Sequence, residues 1–177
     1  PDPPRTRPAS AMDYIWSPWR FKYVADAAKD DRCIFCDALE LGNDRKALIV
    51  FRGKHNFVLL NRFPYTTGHV MIVPFAHIAD LAGCDPSTLA EMMHLAQRVE
   101  AALAANYRPE GFNLGMNIGR CAGAGVAGHV HLHVLPRWTG DTNFMTAVGE
   151  TRLEPEDLSL TFEKLGTKIE KSNIKTL

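Results

Sequence analysis

Seven histidines occur in 177 residues, and three of them alternate along one short stretch, Gly128-His129-Val130-His131-Leu132-His133-Val134-Leu135-Pro136-Arg137. Side chains of a strand point to opposite faces with a period of two, so His129, His131 and His133 share one face and Val130, Leu132 and Val134 the other. The apolar set is what a sheet buries against helices. Neutral imidazole is ligand, nucleophile and general base near pH 7, so three on one edge suit either metal binding or chemistry on an anion. Just upstream, Gly119 to Gly128 carries four glycines in ten residues. Without Cβ atoms in the way, backbone amides can turn inward on an anion, and beside three histidines the loop reads as a phosphate cradle. Asn61 and Asn117 can each offer a donor and an acceptor, though either serves equally as a turn residue satisfying its own backbone. Cys33 and Cys36 have the spacing of half a tetrahedral zinc site; two reduced buried thiols are the alternative.

The elements that must position these groups follow from the apolar pattern. A short helical stretch carrying Cys33 and Cys36 ends near Gly42. Ala47 to Phe51 and Asn56 to Leu60 are apolar runs joined through Arg52-Gly53-Lys54-His55, a hairpin signal, and His69 to Val73 is a third strand stopped by Pro74. Asp85-Pro86 reads as a helix N-cap with proline in the first turn. Leu89, Met92, Met93, Ala96, Val99 and Leu103 then recur at helical spacing, and Arg108-Pro109 closes the helix. Phe112, Leu114, Met116 and Ile118 alternate as a fourth strand, and the histidine run is the fifth. The expected fold class is α+β: an antiparallel sheet of about five strands with one long helix and a short N-terminal helix.

Composition sets the bounds. A chain of this length predicts one domain with a sizeable core, and 46% hydrophobic with 23% charged residues is ordinary for a globular protein. Twenty basic and twenty acidic side chains cancel, so no global field advertises a nucleic-acid partner. No apolar run has the length of a membrane span, and the start lacks the apolar core of a secretory signal. Four sparse cysteines fit a reducing cytoplasm better than a disulfide scaffold. Residues 1–11, rich in proline and arginine, read as a disordered tail, with Met12 a candidate native start; residues 12–150 read as the domain and 151–177 as a polar C-terminal extension. Trp16 and Trp19 in an aromatic segment, and Trp138 after the triad, are candidates for surface covered by packing or pairing.

Taken together these residues resemble the histidine-triad (HIT) nucleotide-binding superfamily. Its histidine-x-histidine-x-histidine signature followed by two apolar residues is matched at His129 to Leu135. Asn61-Arg62-Phe63-Pro64-Tyr65-Thr66-Thr67-Gly68-His69 is similar to the family's asparagine–proline–glycine–histidine segment, and Phe112 to Gly119 to the strand before the triad. The flanks at Trp16 to Arg20 and Pro136 to Phe144 look like a bacterial branch associated with diadenosine polyphosphates.

The resemblance implies an enzyme that cleaves dinucleoside polyphosphates through a nucleotidyl-histidine intermediate. His131 would attack the α-phosphorus, His133 would donate to phosphate or the leaving oxygen, and His129 would support the site. Asn61, His69, Asn117 and the loop residues Gly125 and Val126 would line the substrate. Water or inorganic phosphate would release the nucleotide. A nucleotidyl hydrolase or transferase is the first reading; phosphorolysis, phosphoramidate hydrolysis and a non-catalytic nucleotide-binding module are its alternatives. Where family members often carry a glutamine or serine before the triad, this chain has Gly125-Val126-Ala127, which leaves the acceptor open. The resemblance also implies a structural zinc held by Cys33, Cys36, His77 and His129, no organic cofactor, and pairing of two subunits through their sheets.

Overall fold

A computed structural model of the chain describes residues 32–142 and 156–171. The proposed N-terminal tail, the segment holding Trp16 and Trp19, and Asn143 and Phe144 lie outside the described residues.

The elements are α1 (Ile34–Glu40), α2 (Asp44–Ala47), β1 (Ile49–Arg52), β2 (Asn56–Leu60), β3 (Val70–Pro74), α3 (Pro86–Tyr107), β4 (Gly111–Gly115), β5 (Leu132–Arg137) and α4 (Leu158–Lys171). The strands form one antiparallel sheet in the order β1-β2-β3-β5-β4, so the chain crosses over on α3, lays β4 at the edge and inserts β5 between β3 and β4. The strand at the triad is therefore held on both sides.

The two sheet faces have separate cores. Val58, Leu60, Val70, Ile72, Leu132 and Val134 point to one face, where Met92, Leu95, Ala96, Val99 and Leu103 of α3 cover them. The periodicity read from the sequence supplies Met92, Ala96, Val99 and Leu103 of that stripe; Met93 faces outward, and the buried Leu95 lies outside the set read from the sequence. On the other face Ile49, Phe57, Leu59, Met71 and Val73 meet Phe35 from α1. The register Met71↔His133 places the histidines on this second face, and His69, two residues before Met71, joins them.

Several boundaries differ from expectation. Asn43 accepts a hydrogen bond from the Lys46 amide at 3.0 Å and caps α2, and Leu48 adopts a left-handed conformation, so β1 starts at Ile49. Asp85 occupies the N-cap of α3 without a side-chain cap hydrogen bond; Pro86 supplies the start signal. At the other end Arg108 takes a left-handed φ of 48° and its amide bonds the Ala104 carbonyl, because Pro109 bars continuation. The ladder of β5 begins only at Leu132; before it the Val130 amide bonds the Ile78 carbonyl at 2.7 Å. β3 pairs no further than Val134, so Pro136 falls where β5 has a partner only on the β4 side.

The largest correction lies in the stretch read as a polar extension. Residues 158–171 form α4, and its Leu165 and Ile169 are fully buried in the α3 core. Glu156 fastens the helix by accepting hydrogen bonds from Tyr107, Lys164 and Thr161.

Candidate active site

The centre of the site is the run from His129 to His133, and three main-chain groups decide which nitrogen of each ring carries a proton. Nδ1 of His131 lies 2.8 Å from the carbonyl oxygen of His129. A carbonyl only accepts, so Nδ1 donates and the lone pair of the neutral ring is on Nε2. Burial pushes the His131 pKa below its ordinary value, against the opposing effect of that carbonyl, and the ring is 4% exposed. His131 is thus a neutral imidazole with one basic nitrogen, the state a nucleophile requires.

The second relation runs through His69, which closes the loop after Asn61. The Tyr65 amide donates to Nδ1 of His69 at 3.1 Å, and Nε2 of His69 lies 2.9 Å from Nδ1 of His133. A backbone N–H can only donate, so neutral His69 holds its proton on Nε2 and passes it toward His133 Nδ1. Neutral His133 then carries its own proton on Nε2 and is a donor there. The Tyr65 ring stacks on His69 with centroids 4.9 Å apart. Gly68 permits this turn: its φ is +80°, and an added Cβ would stand 2.9 Å from Leu103.

Across the sheet His133 faces a residue without a side chain. Its register partner on β4 is Gly115, and a Cβ built there would meet nothing within 4 Å. The His131 and His133 rings meet edge to face, with centroids 4.8 Å apart. The two rings therefore stand side by side, His131 buried and His133 half-buried.

His129 turns to a different task. Its Nε2 donates to the Pro74 carbonyl at 2.9 Å, which directs the Nδ1 lone pair toward Cys33 Sγ at 3.3 Å and Cys36 Sγ at 3.8 Å. Nδ1 of His77 lies 3.4 Å from Cys36 Sγ. One ligand atom from each of Cys33, Cys36, His77 and His129 falls within 4.8 Å of the others. Tetrahedral zinc with sulfur and nitrogen ligands sets neighbouring ligand atoms about 3.3–3.8 Å apart, so the donor set fits that ion in both chemistry and spacing. The carbonyl behind His129 is the outer partner that metal-binding imidazoles characteristically have. Gly128 belongs to the same arrangement, since a Cβ there would stand 3.3 Å from Nε2 of His77.

Other expected site residues are placed less directly. Asn61 accepts the Phe63 amide on Oδ1 at 2.9 Å, so that atom closes a local turn. Asn117 is half-buried just beyond β4, Gly125 is exposed on the loop, and Val126 packs against the core beneath the histidine face. The glycine loop uses part of its own polarity: the amides of Ala122, Gly123 and Ala124 bond carbonyls of Gly119 and Arg120. These three are committed within the loop, which narrows the cradle expected there.

Sequence reasoning missed Phe35, which touches both the His129 and His131 rings at centroid distances of 5.4 and 4.9 Å. It also missed Tyr65 and the Pro74 carbonyl. A backbone group has no signature in a sequence; Phe35, framed by the two cysteines, could have been suspected from its position.

The family model described as HIT domain matches residues 43–140. An AP-4-A phosphorylase of Mycobacterium tuberculosis is 36% identical over 165 residues, covering 89% of this chain and 84% of that protein. A zinc-bound histidine triad family protein from Mycobacterium smegmatis superposes with a TM-score of 0.64 at 26% identity, over 82% of this chain and 96% of that one. A histidine triad nucleotide-binding protein from Sulfolobus tokodaii gives a TM-score of 0.63 at 27% identity, over 78% of this chain and 92% of that one.

Proposed function

The chain belongs to the HIT family, and from that premise we propose that it is a nucleotidyl transferase that cleaves dinucleoside polyphosphates such as diadenosine tetraphosphate. The observation that carries the reading is the 2.8 Å bond from His131 Nδ1 to the His129 carbonyl, which leaves Nε2 as the attacking atom.

In this mechanism His131 Nε2 attacks the α-phosphorus, forming a nitrogen–phosphorus bond as the bond to the bridging oxygen breaks. The remaining nucleoside polyphosphate departs. His133, its proton held on Nε2 by the His69 relay, donates toward the departing oxygen or the phosphoryl group. An acceptor oxygen then attacks the nucleotidyl-histidine and restores the free ring. Asn61, Asn117, Gly125 and Val126 line the approach in this proposal.

Inorganic phosphate is the favoured acceptor. Gly125-Val126-Ala127 offers no polar side chain to hold a nucleophilic water, and the 36% identical relative is named a phosphorylase. Hydrolysis is the alternative outcome. Incubation with diadenosine tetraphosphate separates them: ADP plus ATP formed only when phosphate is present means phosphorolysis, whereas AMP plus ATP in buffer alone means hydrolysis. No turnover under either condition, nor on a nucleoside phosphoramidate, overturns the enzyme reading.

Zinc is the proposed occupant of the Cys33, Cys36, His77 and His129 cluster. When bound it would cross-link α1 to the run before β5, a structural task outside the reaction. We also propose a homodimer. β4 is a sheet edge, and Leu114 on it and Ile118 three residues past its end are 42% and 38% exposed; Trp138 stands half-buried beyond β5. A light-scattering mass of one subunit at micromolar concentration contradicts the pairing. Among the described residues no helix is long and apolar enough to cross a membrane; a cytoplasmic location is part of the proposal, supported by four cysteines without disulfides.

A further inference from the structure

The Nδ1–carbonyl bond decides the tautomer of His131, but a hydrogen bond to a carbonyl only two residues back does not by itself hold the plane of the ring. Neighbouring rings supply that constraint. His133 meets His131 edge to face, and it is committed to His69 and to the reaction. Among the described residues the other ring is Phe35, 1% exposed, with its centroid 4.9 Å from that of His131 and the planes inclined by 53°. Phe35 also stands edge-on to His129 at 5.4 Å, so one side chain braces two successive members of the triad.

Phe35 is carried by the seven-residue helix α1. In sequence Phe35 lies between Cys33 and Cys36, whose sulfurs both approach the His129 ring. It belongs to the same buried cluster as Ile49, Leu59, Met71 and Val73. A displacement of α1 would move Phe35 off His131.

We infer that Phe35 is a positioning residue for the nucleophile: packed between the two cysteines and the triad, it holds the His131 ring with Nδ1 on the His129 carbonyl and Nε2 turned to the substrate. This goes beyond the proposed function and rests on its assignment of His131 as nucleophile. Phe35 touches no reacting atom. Its contribution is orientation, and misplacing a reacting group by about an ångström can slow a reaction by about 100-fold.

Packing in the same core without ring support is the competing explanation, and Phe57 provides the comparison. It is fully buried in the same cluster, and its ring neighbour is Phe75 at 5.4 Å. The test uses full-length zinc-loaded protein: wild type, Phe35→Leu, Phe57→Leu, and Phe35→Met as a second, bulkier replacement. Histidine ¹⁵N spectra report the tautomer and exchange of His131 without substrate, and steady-state kinetics on diadenosine tetraphosphate report kcat and KM. Expected for either Phe35 variant are a loss or broadening of the His131 Nδ1–H signal and a kcat about tenfold lower, with KM within about twofold. Phe57→Leu should lower the melting temperature comparably and leave both readouts in place. His131 signals unmoved in both Phe35 variants, or moved equally by Phe57→Leu, overturn the inference. The spectra decide this even if wild-type protein does not turn over the dinucleotide, an outcome that would instead count against the substrate assignment.

Discussion

Nε2 of His69 lies 2.9 Å from Nδ1 of His133, and the Tyr65 amide lies 3.1 Å from the far nitrogen of the same His69. One peptide N–H thus dictates where the proton sits on a ring two steps away. His69→Phe keeps a ring in the stack with Tyr65 but removes both bonds. It should lower kcat by about 10- to 100-fold, part of what a positioned general acid contributes, while the His133 ¹⁵N signals change from one tautomer to a mixture. Unaltered His133 signals would remove His69 from the relay.

The cysteine–histidine cluster makes a prediction in metal content. Protein purified without an affinity tag should carry about one equivalent of zinc per chain, and Cys33→Ser should lose it together with several degrees of melting temperature. Zinc well below one equivalent, with Cys33→Ser as stable as wild type, would reduce the cluster to two reduced thiols near two imidazoles.

Glu91 of α3 clips the β1–β2 turn. Its carboxylate accepts the amides of Lys54, His55 and Asn56 at 2.7, 2.7 and 2.8 Å and the Asn56 side chain at 2.9 Å. Burial alone would raise its pKa, but these donors outweigh burial and hold the carboxyl below its usual range. Since the folded value is the depressed one, the contribution is complete above the ordinary carboxylate range and is lost as pH falls through the folded value. Glu91→Gln should cost about 1–3 kcal/mol at neutral pH by urea denaturation, because an amide cannot accept on its nitrogen. The gap from wild type should close on acidification; a gap independent of pH would assign the cost to packing.

The C-terminal helix should behave as part of the core. Ile169→Ala removes a fully buried side chain and should destabilise the protein by about 2–5 kcal/mol. A change under about 0.5 kcal/mol, the range of ordinary surface substitutions, would show that α4 docks too loosely to count as core.

What the sequence made legible follows from which constraints are local. The alternation from Leu132 to Val134, the apolar spacing of α3 and its Pro86 and Pro109 boundaries are local patterns with one physical reading, and the structure keeps them, though the strand does not reach back to His129. The pairing of β5 between β3 and β4, which brings His69 to His133, is a long-range outcome that no local pattern specifies. His77 could be joined to Cys33, Cys36 and His129 only through family resemblance, because 41 residues separate it from Cys36. The helix α4 was a different kind of miss. Leu158, Phe162, Leu165 and Ile169 recur at helical spacing, but charged residues between them and Pro155 ahead of them gave the stretch the look of a tail.

The central claim is that His131 becomes covalently nucleotidylated. Wild-type protein and His131→Ala, mixed with diadenosine tetraphosphate and quenched within the first turnover, should be compared by intact mass and peptide mapping. The account predicts one adenylyl group on His131 in wild-type protein, released on addition of inorganic phosphate as ADP. It predicts no adduct and no turnover for His131→Ala, which should still bind nucleotide. Full activity in that variant, or wild-type turnover with no adenylyl group ever attached to His131, would contradict it.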